Sequence, residues 1–164
     1  VKTCCHPDKD LLAFSVESEL IKNGRLKILF VFPYGSPDKT ASDWLSSERH
    51  TTDIMERTKE SVVLLRILDN EHYFVNICFP FGSCLNRKED HLFILEPQKG
   101  AETLSFVCCF SKSPVREVLP GFKETLKDCE KHWEDFWNKG GAIDLSESKD
   151  TIAFELERRI VLSQ

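Results

Sequence analysis

The sequence predicts a mainly β protein, an antiparallel β-sandwich over residues 1–115 followed by a helical part over 116–164. Three observations carry this. Short runs rich in Val, Ile, Leu, Tyr and Phe recur from Leu11 to about Phe110, with turn residues between them. No helical crossover of the kind a parallel sheet requires separates those runs. After Ser113-Pro114 the apolar spacing changes from two residues to three or four, the period of a helix.

Taken in order, Leu26-Lys27-Ile28-Leu29-Phe30-Val31-Phe32 is apolar on both faces after Lys27, which predicts a strand covered on each side. Tyr34 to Lys59 shows no sustained period and carries Gly35, Pro37 and several serines, threonines and aspartates, so it reads as a long connection. Connections of that length in compact domains are more often functional than idle. Ser61–Leu68 and Glu71–Phe79 are strand-like and flank Asp69-Asn70, a pair that tolerates positive φ and predicts a tight hairpin. Period-two spacing puts Tyr73, Val75, Ile77 and Phe79 on one face, with Asn76 opposite. Leu92–Leu95 and Thr103–Phe110 are expected to pair as a second hairpin across 97–102, with Leu104, Phe106, Cys108 and Phe110 on its apolar face.

Beyond Pro120-Gly121, the residues Phe122, Leu126, Cys129, Trp133, Phe136 and Trp137 form one helical stripe, which Asn138-Lys139-Gly140-Gly141 closes. Ser148 or Asp150 is positioned to cap a further helix with Ala153, Leu156 and Ile160 on one side. Glu155 is spaced to pair with Arg158 or Arg159. This last run meets no stop residue by Gln164, and the first residue is Val1 rather than Met. The reading therefore expects the chain to be the front part of something longer, trimmed at its start as well.

Composition narrows the function. In 164 residues, 41% are apolar and 30% charged, with twelve Phe and three Trp, a balance that fits a folded domain rather than disorder. A formal charge of −5 with no Lys/Arg cluster speaks against nucleic acid as the main partner. No apolar run approaches the ~20 residues that span a bilayer, so no membrane partner is expected. The seven cysteines are adjacent or irregularly spaced, a poor disulfide framework and the wrong spacing for zinc, and read as small apolar side chains within strands. The compartment is left open.

The long connection holds the most suggestive chemistry. Tyr34, Asp43, Trp44, Arg49 and His50 supply an aromatic plate, a carboxylate and cationic or imidazole groups, the combination that grips the C–H face and the hydroxyls of a sugar. The competing explanation is that Trp44 plugs the connection onto the sheets while Asp43 and His50 satisfy backbone or solvent. Trp133, Phe136 and Trp137 at helical spacing read as packing, in the core or at a domain interface shared with Leu156, rather than as a substrate platform. Glu134-Asp135 and Glu155/Glu157 point in different directions on a helix and make poor acid–base pairs. The five histidines show no paired spacing, and no nucleophile elbow, phosphate loop or dinucleotide fingerprint occurs. No catalytic residue, metal site or cofactor is assigned.

The run from Trp133-Glu134-Asp135-Phe136-Trp137 through Asn138-Lys139-Gly140-Gly141-Ala142-Ile143-Asp144-Leu145-Ser146, then Asp150 and Glu155 to Gln164, resembles the junction in six-hairpin glycosidase-like proteins, where a β-sandwich domain precedes an α/α toroid. Phe32-Pro33-Tyr34-Gly35, Asp43-Trp44, His50-Thr51-Thr52 and the Leu68 to Tyr73 hairpin are similar to the N-terminal domain of that group. The resemblance implies a supersandwich-like β domain, a helical linker and the first helix of a truncated toroid. It implies a parent glycoside hydrolase with two catalytic carboxylates in the toroid, beyond Gln164. This chain alone would then be inactive, packing on the toroid and lending its loop to a carbohydrate site. The alternative is a carbohydrate-binding or protein-interaction β module without catalysis.

Overall fold

The computed structural model describes residues 1–163, and Gln164, the last residue of the resemblance, lies outside them. The chain is mainly β, with antiparallel sheets, one short helix near the start and two longer helices at the C-terminal end. The described residues form eleven strands: β1 (Lys2–Cys5), β2 (Leu11–Glu17), β3 (Ile28–Val31), β4 (Tyr34–Gly35), β5 (Ser42–Asp43), β6 (His50–Arg57), β7 (Ser61–Leu68), β8 (Glu71–Cys78), β9 (Cys84–Glu89), β10 (Leu92–Glu96) and β11 (Thr103–Ser111). The helices are α1 (Glu19–Lys22), α2 (Phe122–Phe136) and α3 (Ala153–Ser163). None of them is long and apolar enough to cross a membrane.

Six strands form one sheet in the order β1-β2-β11-β8-β7-β6, and three form a second in the order β3-β10-β9. The main core lies where they meet. Val62, Leu64, Val75, Ile77, Leu104 and Phe106 from the large sheet pack with Leu85, Phe93 and Leu95 from the small one. Phe106 stacks on Phe14 at 4.7 Å and meets Phe30 edge-on at 5.8 Å, so aromatic contacts tie β2, β3 and β11 together. The other face of the large sheet buries Leu11, Ala13, Val107 and Cys109 beneath Val115, Leu119 and Phe122. Asn76, on that outer face, is therefore buried as well.

The β7–β8 hairpin forms as its sequence predicts. Leu68 pairs with Glu71 across a two-residue turn in which Asp69 takes φ 52°, a left-handed conformation that aspartate tolerates better than most residues. Three expectations need correction. Leu92–Leu95 and Thr103–Phe110 are not a hairpin: β10 pairs with β3 and β9, whereas β11 pairs with β2 and β8. Residues 97–102 carry the chain from one sheet to the other, so the two adjacent strands face each other across the core instead of sharing an edge. The segment Tyr34–Lys59 is not one connection, because it contains the eight-residue strand β6 at the edge of the large sheet. Its inward positions His50 and Thr52 are polar, which hides the period-two signal. Finally, β3 is covered on one face only, leaving Leu29 and Val31 half-exposed.

The cysteines divide by environment. Cys108 and Cys109 are buried in β11, whereas Cys5 and Cys84 are exposed, so the buried reading does not hold for all of them. Burial pushes the Cys108 thiol up to about 12, keeping it protonated and unreactive.

Helix α2 opens at Gly121, whose N–H donates to the Glu124 carboxylate at 3.0 Å, and buries Thr125 against the body. It closes through an irregular turn, Trp137–Gly141, in which Gly140 adopts φ 120°, a value L side chains rarely take. Entry to α3 is set by Asp150, whose carboxylate accepts from the Ile152 N–H at 2.9 Å. Glu155 accepts from both Arg158 and Arg159 at 2.8 Å, as the spacing predicts. These pairs are exposed and screened by solvent, so they contribute little to stability.

The two-sided core makes a prediction. Phe93→Ala, at a fully buried position between the sheets, is expected to destabilise the chain by about 3–5 kcal/mol. Val118→Ala, at a 98% exposed position, is expected to stay within about 0.5 kcal/mol. Urea unfolding midpoints check both, and equal effects contradict the packing described.

Candidate functional site

The site grows from one residue that breaks the pattern of its strand. In β7, Val62 and Leu64 point inward, and the next inward position is Arg66, only 1% exposed. A buried guanidinium is strongly unfavourable unless its N–H groups are taken up. Here neutral acceptors take them up. Nη1 donates to His50 Nδ1 at 2.6 Å and to Thr52 Oγ1 at 2.6 Å, Nη2 donates to the Pro33 carbonyl at 3.0 Å, and Nε donates to the Tyr73 hydroxyl at 3.3 Å. The guanidinium also lies over the Phe32 and Tyr73 rings, at 5.2 and 5.9 Å.

This arrangement fixes the histidines. Because His50 Nδ1 accepts from Arg66, the ring proton of neutral His50 sits on Nε2. His91 Nε2 donates to the Ser47 carbonyl at 2.9 Å, which leaves its Nδ1 to accept from the Thr52 hydroxyl at 2.8 Å. The two imidazoles stack with centroids 3.7 Å apart and planes 17° from parallel. Burial first, then the Arg66 charge and the His91 neighbour, lower His50 from 6.5 to about 4, so it is neutral at physiological pH.

His50 lines a hollow of about 240 Å³ between β3, the β5 to β6 connection and the β9–β10 turn, together with Asp43, Trp44, Glu89, Asp90 and His91. Asp43 is held below the usual carboxylate range by hydrogen bonds from Ser46 and from the Leu45 N–H, the latter at 2.8 Å. Trp44 is 61% exposed, an open aromatic face rather than a plug. Asp90 accepts from Arg87 at 3.2 Å.

The sequence-predicted group thus divides. Asp43, Trp44 and His50 share this hollow, whereas Tyr34 and Arg49 line a neighbouring one with Asp69. There the Tyr34 hydroxyl donates to Asp69 at 2.6 Å and accepts from Arg49 Nη2 at 2.9 Å, with the Arg49 guanidinium 4.2 Å above the tyrosine ring. Tyr34 is buried, with its ring centroid 5.8 Å from that of His50. Trp133, Phe136 and Trp137 cluster on α2 and its closing turn at centroid distances of 5.1 to 6.5 Å, with Trp133 44% exposed. Leu156 stands half-exposed on α3.

Sequence reasoning missed Arg66, His91, Thr52 and Asp69. Arg66 carried a usable signal, since a charge at an inward position of an apolar strand requires buried partners. His91 carried none, because it meets His50 only through the fold. Among the described residues no cluster of three metal-ligating side chains is present. No known protein family, curated protein or solved structure matches the chain.

The depressed His50 titration makes a prediction. Between about 6.5 and about 4 the unfolded chain takes up a proton that the folded chain refuses, so stability is full above this window and falls as the pH drops through it. In urea titrations across that range, His50→Gln, which keeps an acceptor for Arg66, is expected to flatten the decline. An unchanged slope contradicts the assignment.

Proposed function

We propose that this chain is the non-catalytic β part of a carbohydrate-active, glycoside hydrolase-like protein, and that the hollow around Trp44 contacts a sugar. The observation that carries this is the exposed Trp44 face beside an ionised Asp43 and a neutral His50 N–H. An aromatic plate binds the C–H face of a pyranose, the carboxylate accepts from one hydroxyl and the imidazole donates to another. A hollow of about 240 Å³ is smaller than the ~300–1,000 Å³ of drug-sized sites and suits a single ring.

The resemblance of the 133–164 region to six-hairpin glycosidases supports the rest of the reading. The two facing sheets are the supersandwich-like domain. Trp133, Phe136, Trp137 and Leu156 form the surface on which an α/α toroid with the catalytic carboxylates packs. A binding module without catalysis is the second reading. The strongly exposed Phe154 and Leu162 on α3, 78% and 71%, favour a protein partner there, and that partner need not be a toroid.

Titration with neutral monosaccharides and disaccharides, followed by indole NMR shifts, is expected to perturb Trp44, and Trp44→Ala is expected to abolish binding while Trp133→Ala leaves it intact. Absence of binding, or binding that survives Trp44→Ala, removes the sugar-contact reading. Glycoside hydrolysis by a parent protein containing helical hairpins, with none by this chain, separates the hydrolase reading from the binding module.

A further inference from the structure

The side chains around the hollow are charged with one sign. Asp43, Glu89 and Asp90 line it, and no lysine or arginine is among its lining residues. The nearby cations are committed elsewhere. Arg66 is buried behind His50 and held by its own acceptors, and Arg49 lies over Tyr34 in the adjoining hollow, whereas Arg87 pairs with Asp90 itself, so that Asp43 and Glu89 are the lining carboxylates without an ion-pair partner among the described residues. Both nitrogens of His91 are occupied by Ser47 and Thr52.

An acidic rim alone specifies no ligand, but His50 adds an independent requirement. His50 is 6% exposed and its Nδ1 is taken by Arg66, while Nε2–H, at the opposite end of a ring that lines the hollow, has no hydrogen-bond partner among the described residues. An N–H donor that the protein leaves unpaired on an otherwise buried ring, yet within reach of solvent, is open to an acceptor from a ligand, and a hydroxyl oxygen supplies one. Trp44 beside it offers an exposed ring face that attracts a cation as well as the C–H face of a sugar.

We propose that the hollow selects a hydroxyl-bearing ring that also carries a protonated amine, an amino sugar, over the neutral and the acidic sugar of the same stereochemistry. This rests on the sugar-contact reading and names its substrate class. The ammonium lies among the carboxylates and near the Trp44 face, and a ring hydroxyl accepts from His50 Nε2–H. A uronic acid meets like charge and gains no cation in return.

The test compares glucosamine, glucose, N-acetylglucosamine and glucuronic acid by NMR titration at about pH 6, below the range of α-amino groups. Glucosamine is expected to bind about five-fold tighter than glucose, the scale of partly exposed ion pairs. The acetylated sugar is expected to lose that advantage and glucuronic acid to bind weakest. At ~1 M salt, where the Debye length is about 3 Å, the preference is expected to vanish. Asp43→Asn, which keeps the acceptor for the Leu45 N–H, is expected to shrink it. Glucose or glucuronic acid binding as tightly as glucosamine overturns the inference and leaves the sugar reading standing. No binding by any of the four overturns both.

Discussion

The Arg66 guanidinium is the constraint around which this end of the molecule is organised. A full positive charge at a 1% exposed position has no carboxylate among its hydrogen-bond partners, so dipoles from four residues must converge on it. Pro33 comes from the turn after β3, His50 and Thr52 from β6, and Tyr73 from β8, with the Phe32 ring beneath. Meeting that demand fixes the start of β6, the conformation after β3 and the tautomer of His50 together. Loss of one partner weakens the compensation of a buried charge, a defect of about 1.5–3 kcal/mol on the scale of a hydrogen bond to a charged group. The hollow is thus built against the large sheet through His50, with Asp43 at the end of β5 and Trp44 in the connection that follows it.

The same network converts a core feature into surface chemistry. Arg66 occupies one nitrogen of His50 and directs the ring's proton to the other, and its charge helps to keep the ring neutral. Thr52 relays hydrogen bonding to His91, which anchors the Ser47 carbonyl and with it the short turn that presents Asp43 and Trp44. A donor, a carboxylate and an aromatic face are held in place before any ligand arrives, and preorganisation of this kind lowers the entropy cost of binding.

Local physics accounts for what was legible in the sequence. The β7–β8 hairpin is written in an Asp-Asn turn between period-two runs, and the end of α2 is written in its glycines. The Glu155 pairs follow from helical spacing alone. Strand β6 was hidden because its inward residues, His50 and Thr52, serve Arg66 rather than the apolar core. The pairing of β10 with β11 was misread because neighbours in sequence usually pair, and nothing in Pro97 to Glu102 marks a crossing between sheets. Composition pointed to Asp43, Trp44 and His50 as a group. It could not separate them from Tyr34 and Arg49, nor bring in His91, because those relations exist only through tertiary contacts.

The most direct test of this account is the tautomer of His50, read from its imidazole ¹⁵N shifts in a long-range proton–nitrogen spectrum of the folded chain at neutral pH. The account predicts a neutral ring with the proton on Nε2 and an unprotonated Nδ1 accepting from Arg66. A proton on Nδ1, or a doubly protonated ring, would contradict it and dissolve the link between the buried arginine and the hollow.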